Sequence, residues 1–142
     1  MNDRVRIEVL DWTQAEALAM PLREQVFVVE QGVPAELERD EFDALSRHAL
    51  ARGAAGEIVA TARLLPDGHI GRMAVAAPWR GRGIGGEVLE VLVAEARARG
   101  LSAVLLNAQA HAVDFYHRHG FEVEGEPFIE AGIAHRAMRR ML

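Results

Sequence analysis

The densest chemistry in the chain lies in one short run, Arg80-Gly81-Arg82-Gly83-Ile84-Gly85-Gly86. Glycine permits backbone turns that other residues avoid and lets a ligand approach the main chain closely. Set before a helix, such a turn aims amide N–H groups and the positive end of the helix dipole at one point. The result is an anion cradle. Arg80 and Arg82 add positive charge, and because the chain has no lysine, backbone amides must do most of the holding. A phosphate-bearing cofactor is implied; the competing reading is a surface turn whose glycines answer only to geometry. Gly81, Gly83 and Gly86 also satisfy the dinucleotide pattern G-x-G-x-x-G, but Asn107 stands about 20 residues further on, where an acid should hold a ribose. Too little chain follows Gly86 for the rest of such a sheet.

Composition closes off other chemistries. The 142 residues suit a single domain, 1–142. All 16 basic residues are arginine and there is no cysteine, so Schiff bases, thiolate catalysis, disulfides and cysteine zinc sites are excluded. The few hydroxyls (Ser46, Ser102, Thr13, Thr61) make covalent serine catalysis a poor fit. The six histidines show no ligand spacing, so no metal is expected. A net charge of −5 argues against nucleic acid as a partner. No apolar run approaches the ~20 residues of a membrane span. The N-terminus, with Asp3 and Glu8, does not read as a secretory signal, and a cytoplasmic location is the expectation.

The elements that must position the glycine turn follow from periodicity. Val5, Ile7 and Val9 alternate with polar residues, predicting a strand over Arg4–Leu10. Thr13 and Glu16 have capping-box spacing for a helix that meets Pro21 and continues through Val26, Phe27 and Val29 to a break at Gly32 and Pro34. Glu36–Asp43 is an acidic stretch, expected as a solvated loop or short helix whose field could attract a cation. His48–Arg52 and Glu57–Leu65 read as a hairpin, and His69–Val75 completes a meander. Leu89, Leu92, Val93 and Ala96 share one helical face, predicting a helix over about Gly85–Arg99 closed by Gly100. A buried strand over Ala103–Leu106, a helix over Ala112–His119, and strands at Phe121–Val123 and Ala134–Met141 complete the chain.

The stretch Met73-Ala74-Val75-Ala76-Ala77-Pro78-Trp79-Arg80-Gly81-Arg82-Gly83-Ile84-Gly85 resembles the signature of the GCN5-related N-acetyltransferases (GNAT), whose core is R-x-x-G-x-G. Phe115-Tyr116-His117-Arg118-His119-Gly120-Phe121 resembles the second motif of that family. Val26-Phe27-Val28-Val29-Glu30-Gln31, Asn107-Ala108-Gln109 and His135 resemble the ElaA-like branch. The resemblance implies an α/β (α+β) fold: a mixed, mostly antiparallel sheet of six to seven strands, flanked by about four helices. Two parallel neighbours, ending near Val75 and Asn107, would splay apart. It further implies that acetyl-CoA lies in that wedge. Arg80, Gly81, Arg82, Gly83, Ile84, Gly85 and Gly86 would hold its pyrophosphate, Met73, Ala74 and Val75 its pantetheine arm, and Asn107 the pantetheine amides. The Val75 amide would polarise the thioester carbonyl, a fixed dipole aimed at charge that develops during transfer. A homodimer is compatible with the resemblance.

Transfer of an acetyl group to a primary amine needs a donor for the departing thiolate and an acceptor for the amine's proton. Tyr116, the only tyrosine, is the candidate acid. Glu30 and His135, both in stretches that resemble the branch, are the candidate bases. The expected activity is direct transfer in a ternary complex. A non-catalytic acyl-CoA-binding module is the alternative, and the sequence leaves the acceptor amine open.

Overall fold

A computed structural model describes residues 4–142; Asp3, part of the N-terminal reading, lies outside the described residues. Strand β1 (Arg6–Leu10) leads into helix α1 (Trp12–Arg23). The helix is capped by Asp11, two residues earlier than the Thr13–Glu16 spacing predicts. The Asp11 carboxylate accepts from the Gln14 N–H at 3.2 Å and from the Thr13 hydroxyl at 2.6 Å, while Glu16 is diverted into an ion pair with Arg39. Aspartate is as good an N-cap as threonine, and here it also takes the hydroxyl as a second donor. Pro21 lies inside α1, and wide π-helical turns over Glu24–Glu30 follow it directly.

Strands β2 (Arg47–Arg52), β3 (Ile58–Leu64) and β4 (Ile70–Val75) form the expected meander, and β1 joins its edge to give the antiparallel order β1-β2-β3-β4. Both faces are covered. Ala49, Ala51, Ala60 and Ala62 lie in the core with helix α3 (Ile84–Ala98), whose Val88, Leu89, Leu92, Val93 and Ala96 are buried. Leu50, pointing the other way as strand alternation requires, meets Ala15 and Ala19 of α1. After a short helix α2 (Ala35–Glu38) in the 35–45 loop, the C-terminal half supplies β5 (Ala103–Gln109), helix α4 (Val113–Arg118), β6 (Glu122–Glu130) and β7 (Ile133–Met141). These strands form a second antiparallel sheet in the order β5-β7-β6.

The two sheets meet at the parallel pair β4 and β5. A single bridge joins His69 to Leu105, and the Leu105 N–H donates to Gly68 O at 3.0 Å. Towards Val75 and Gln109 no further ladder pairing connects them among the described residues, so the expected splay is present. A bulge contributes to it. Thr61 and Arg63 of β3 pair with Ala74 and Gly71, leaving one extra residue on β4 around Arg72–Met73. Bulges bend the strand that carries them and sharpen its twist. Arg72 sits at φ 50°, a left-handed conformation that costs a non-glycine residue roughly 1–2 kcal/mol. Its guanidinium offsets that strain by donating to Glu38 O at 2.9 Å, Leu37 O at 3.1 Å and Asp40 at 3.2 Å.

Those bonds correct the reading of the acidic stretch as a solvated face. Arg23 donates to Glu38 at 2.7 Å and to Asp43 at 2.8 Å, and Arg63 donates to Asp43 at 2.9 Å and to Asp40 at 2.7 Å. Arg23, Glu38 and Asp43 are buried. Burial works to raise the Asp43 pKa, but hydrogen bonds from Arg23 and Arg63 outweigh it and hold the carboxyl below its ordinary range. The charges are therefore spent on pinning the loop across the sheet, over the bulge.

Candidate active site

The gap between β4 and β5 opens into a cleft of about 1440 Å³. Of the residues singled out in the sequence, Glu30, Met73, Ala74, Val75, Arg80, Gly81, Gly83, Ile84, Gly85, Gly86, Asn107, Tyr116 and His135 all line it. Arg82 does not. Its guanidinium lies 5.0 Å from the centre of the Trp79 ring.

The turn has the form an anion site requires. Gly81 and Gly83 sit at φ 77° and 80°, which glycine alone adopts without strain, and Gly83 is the N-cap of α3. No side chain caps that helix, so its first amides are not taken by a capping group, and the space beside Gly81 and Gly83 is open. Gly86 has a different task. A Cβ there would come within 2.9 Å of His119 Nε2, so its smallness lets α3 pack against the end of α4. His119 Nδ1 and Arg140 both bond Glu90, tying α3 to α4 and β7.

Arg80 holds the turn from outside: its Nε donates to Val75 O at 2.9 Å and its Nη2 to both Glu30 oxygens at 2.8 and 3.1 Å. Glu30 is thus engaged by a guanidinium at the cleft wall. His135 presents a different picture. Its Nδ1 lies 2.7 Å from Ile133 O, and because a carbonyl can only accept, Nδ1 carries a proton, so in the neutral ring the lone pair is on Nε2. That Nε2 stands 3.8 Å from Glu130 Oε2. The ring is buried and stacks on Phe128.

Tyr116 projects from α4 between Phe115 and Phe121, both at edge-on angles. Its hydroxyl donates weakly to Met73 Sδ at 3.9 Å, on the bulged strand. Burial pushes its pKa up to about 12, so the phenol keeps its proton throughout the neutral range. Asn107, opposite Ala137 in the β5–β7 ladder, is exposed towards the cleft. Sequence reasoning passed over Phe27, Leu37 and Phe42, which give the cleft an apolar wall, and Gln31, whose Oε1 accepts from Gln109 Nε2 at 2.9 Å. Phe27 and Gln31 belonged to the run around Glu30, whereas Leu37 and Phe42 lay within the acidic stretch Glu36–Asp43.

Solved proteins share this architecture over nearly the whole chain. An acyl-CoA N-acyltransferase from Pseudomonas aeruginosa superposes with a TM-score of 0.87 at 31% identity, covering 96% of this chain and 99% of that one. ElaA of Escherichia coli does so with a TM-score of 0.85 at 30% identity, again over 96% and 99%. Strands splayed beside an uncapped, glycine-led helix start place the molecule in the class of acyl-CoA N-acyltransferases. The acetyltransferase (GNAT) domain family matches residues 9–142. The chain is also 38% identical over 125 residues to the uncharacterized N-acetyltransferase YjcF of Bacillus subtilis, spanning 86% of this chain and 89% of YjcF. It belongs to the GNAT family and is an acetyltransferase, and the family uses acetyl-CoA. No group of side chains suited to a metal ion occurs among the described residues, and no helix there is long and apolar enough to cross a membrane.

Proposed function

We propose that this protein transfers the acetyl group of acetyl-CoA directly to a primary amine, both substrates being held at once in the cleft between β4 and β5. The observation that carries the reading is the conjunction of the uncapped α3 start with a protonated, half-buried tyrosine on the opposite side of the gap. When bound, acetyl-CoA supplies an acetyl group already activated as a thioester.

In this reading the amides of Gly81–Gly86 grip the diphosphate, helped by the dipole of α3. The turn fits that group because its two left-handed glycines leave open space beside the main chain. Arg80 acts by fixing the turn to Val75 and Glu30, and Arg82 contributes charge from beside Trp79. Ala74 and Val75 pair with β3 on one side, but beyond the His69–Leu105 bridge the edge of β4 that faces β5 has no ladder partner among the described residues, so main-chain groups of the Met73–Val75 segment are available to the pantetheine arm, with Asn107 across the gap on β5. The Val75 amide is aimed at the carbonyl oxygen, where charge develops.

Tyr116 is the acid. A phenol held protonated can give its proton to a departing thiolate and recover it from solvent. His135 is the better placed base, because the Ile133 carbonyl fixes the tautomer in which the lone pair of the neutral ring sits on Nε2, and the residue lines the cleft. Glu30, locked to Arg80, serves better as a support than as a proton acceptor.

Thiol release from acetyl-CoA with a panel of primary amines tests the reading, alongside thermal shift with coenzyme A. Coenzyme A at ~100 times its dissociation constant should stabilise by about 2.7 kcal/mol, and turnover should need an amine. Stabilisation without turnover on any amine would favour the binding-module alternative; absence of both would refute the cleft as a coenzyme A site.

A further inference from the structure

The π-helical segment Glu24–Glu30 ends at the open end of the wedge. Such turns are rare and concentrate at functional positions. Two adjacent residues at its end reach both walls of the gap. Glu30 accepts from Arg80 Nη2 at 2.8 and 3.1 Å, and the Arg80 Nε bond to Val75 O, at 2.9 Å, passes that tie to the end of β4. Gln31 Oε1 accepts from Gln109 Nε2 at 2.9 Å, at the end of β5. Among the described residues the strands themselves are joined only at the far end, by the His69–Leu105 bridge. Side chains of one short segment therefore span a gap that the backbones leave open.

We propose that Glu30 and Gln31 form a clasp across the wedge. They are positioning residues that set the separation of the β4 and β5 ends, and with it the placement of the acceptor amine against the acetyl group. The inference rests on the transferase reading for its catalytic consequence, but the clasp itself is a mechanical property of the free protein. An exposed hydrogen bond such as Gln31–Gln109 shifts an open–closed equilibrium by up to about fivefold. Misplacement by about 1 Å can cost a reaction up to a hundredfold, so the equilibrium matters more for rate than for stability.

The experiment uses the full chain with Gln31→Ala, Gln109→Ala, the double variant and Gln31→Glu, which keeps the acceptor oxygen the bond needs. Hydrogen exchange on the free protein reads the amides at 107–110, and thiol release with phenethylamine and spermidine as probe amines reads kcat/KM. Each alanine variant is expected to speed exchange at the end of β5 and to lower kcat/KM by up to about fivefold. The double variant should do no more than either single one, and Gln31→Glu should behave as the parent. Unchanged exchange, additive losses in the double variant, or a Gln31→Glu protein as impaired as Gln31→Ala would overturn the clasp. A parent protein that binds no coenzyme A would instead refute the transferase reading, with the exchange data still deciding the clasp.

Discussion

Replacing Tyr116 by phenylalanine separates chemistry from packing with unusual clarity in this chain. The side chain is half-buried at the cleft wall, and its hydroxyl meets the Met73 thioether at 3.9 Å, a poor return for desolvation. Tyr116→Phe should therefore leave stability unchanged or raise it by up to about 1 kcal/mol, while slowing acetyl transfer at least about tenfold through loss of the acid. Composition sharpens the test. With no lysine, no cysteine and one tyrosine, Tyr116 is the one ordinary side chain that titrates between the histidines and the arginines. Its pKa is about 12 folded, against an ordinary value of 10.0. The folded state then holds the proton that the unfolded state releases, so stability is whole below pH 10 and declines as pH rises towards 12. By pH 11.5 the loss should reach about 2 kcal/mol. Urea denaturation between pH 9 and 11.5 measures that decline, and tyrosinate absorbance at 295 nm follows the same proton directly. The phenylalanine variant should show a flat profile. A parent tyrosine titrating near 10, or a Tyr116→Phe enzyme with undiminished turnover, would refute the assignment.

Gly83→Ala forces a left-handed alanine at the α3 cap, costing about 1 kcal/mol of stability, and should weaken coenzyme A binding at least tenfold by calorimetry. Gly86→Ala should destabilise by about 1–3 kcal/mol through its collision with His119, and a second change, His119→Ala, should recover most of that in thermal melts. Arg23→Ala leaves Glu38 and Asp43 buried without their main partner, so a loss of about 3–5 kcal/mol is expected in denaturant titrations. The folded pKa of Asp43 is depressed, so its contribution is present above the ordinary carboxylate pKa and lost as pH falls below it. Acid unfolding of the parent should accordingly steepen below pH ~4.

What could be read in advance was whatever depends on local pattern. Helix α3 announced itself through the apolar face of Leu89, Leu92, Val93 and Ala96, and the β2–β4 meander through its turn residues. The glycine turn was legible because φ near +80° at Gly81 and Gly83 is a demand on residue type. Features set by distant partners were not. Arg72 occupies a left-handed position with no glycine to mark it, because carbonyls of Leu37 and Glu38 hold it there. The acidic stretch looked solvated, since nothing near it in sequence foretold Arg23 and Arg63 closing over it. Strand β6 runs to Glu130, well past the expected Val123, and its nearly unbroken exposure erased the alternation that would have shown its length. Glu30 read as a candidate base, and nothing near it in sequence foretold its pairing with Arg80.

The most direct measurement is a crystal structure of the protein with coenzyme A. Diphosphate oxygens are expected within hydrogen-bond distance of amides between Gly81 and Gly86, with the pantetheine arm running between Val75 and Asn107 towards the Tyr116 hydroxyl. Coenzyme A bound elsewhere, or β4 and β5 drawn together into a continuous ladder with the glycine amides facing bulk water, would contradict that placement.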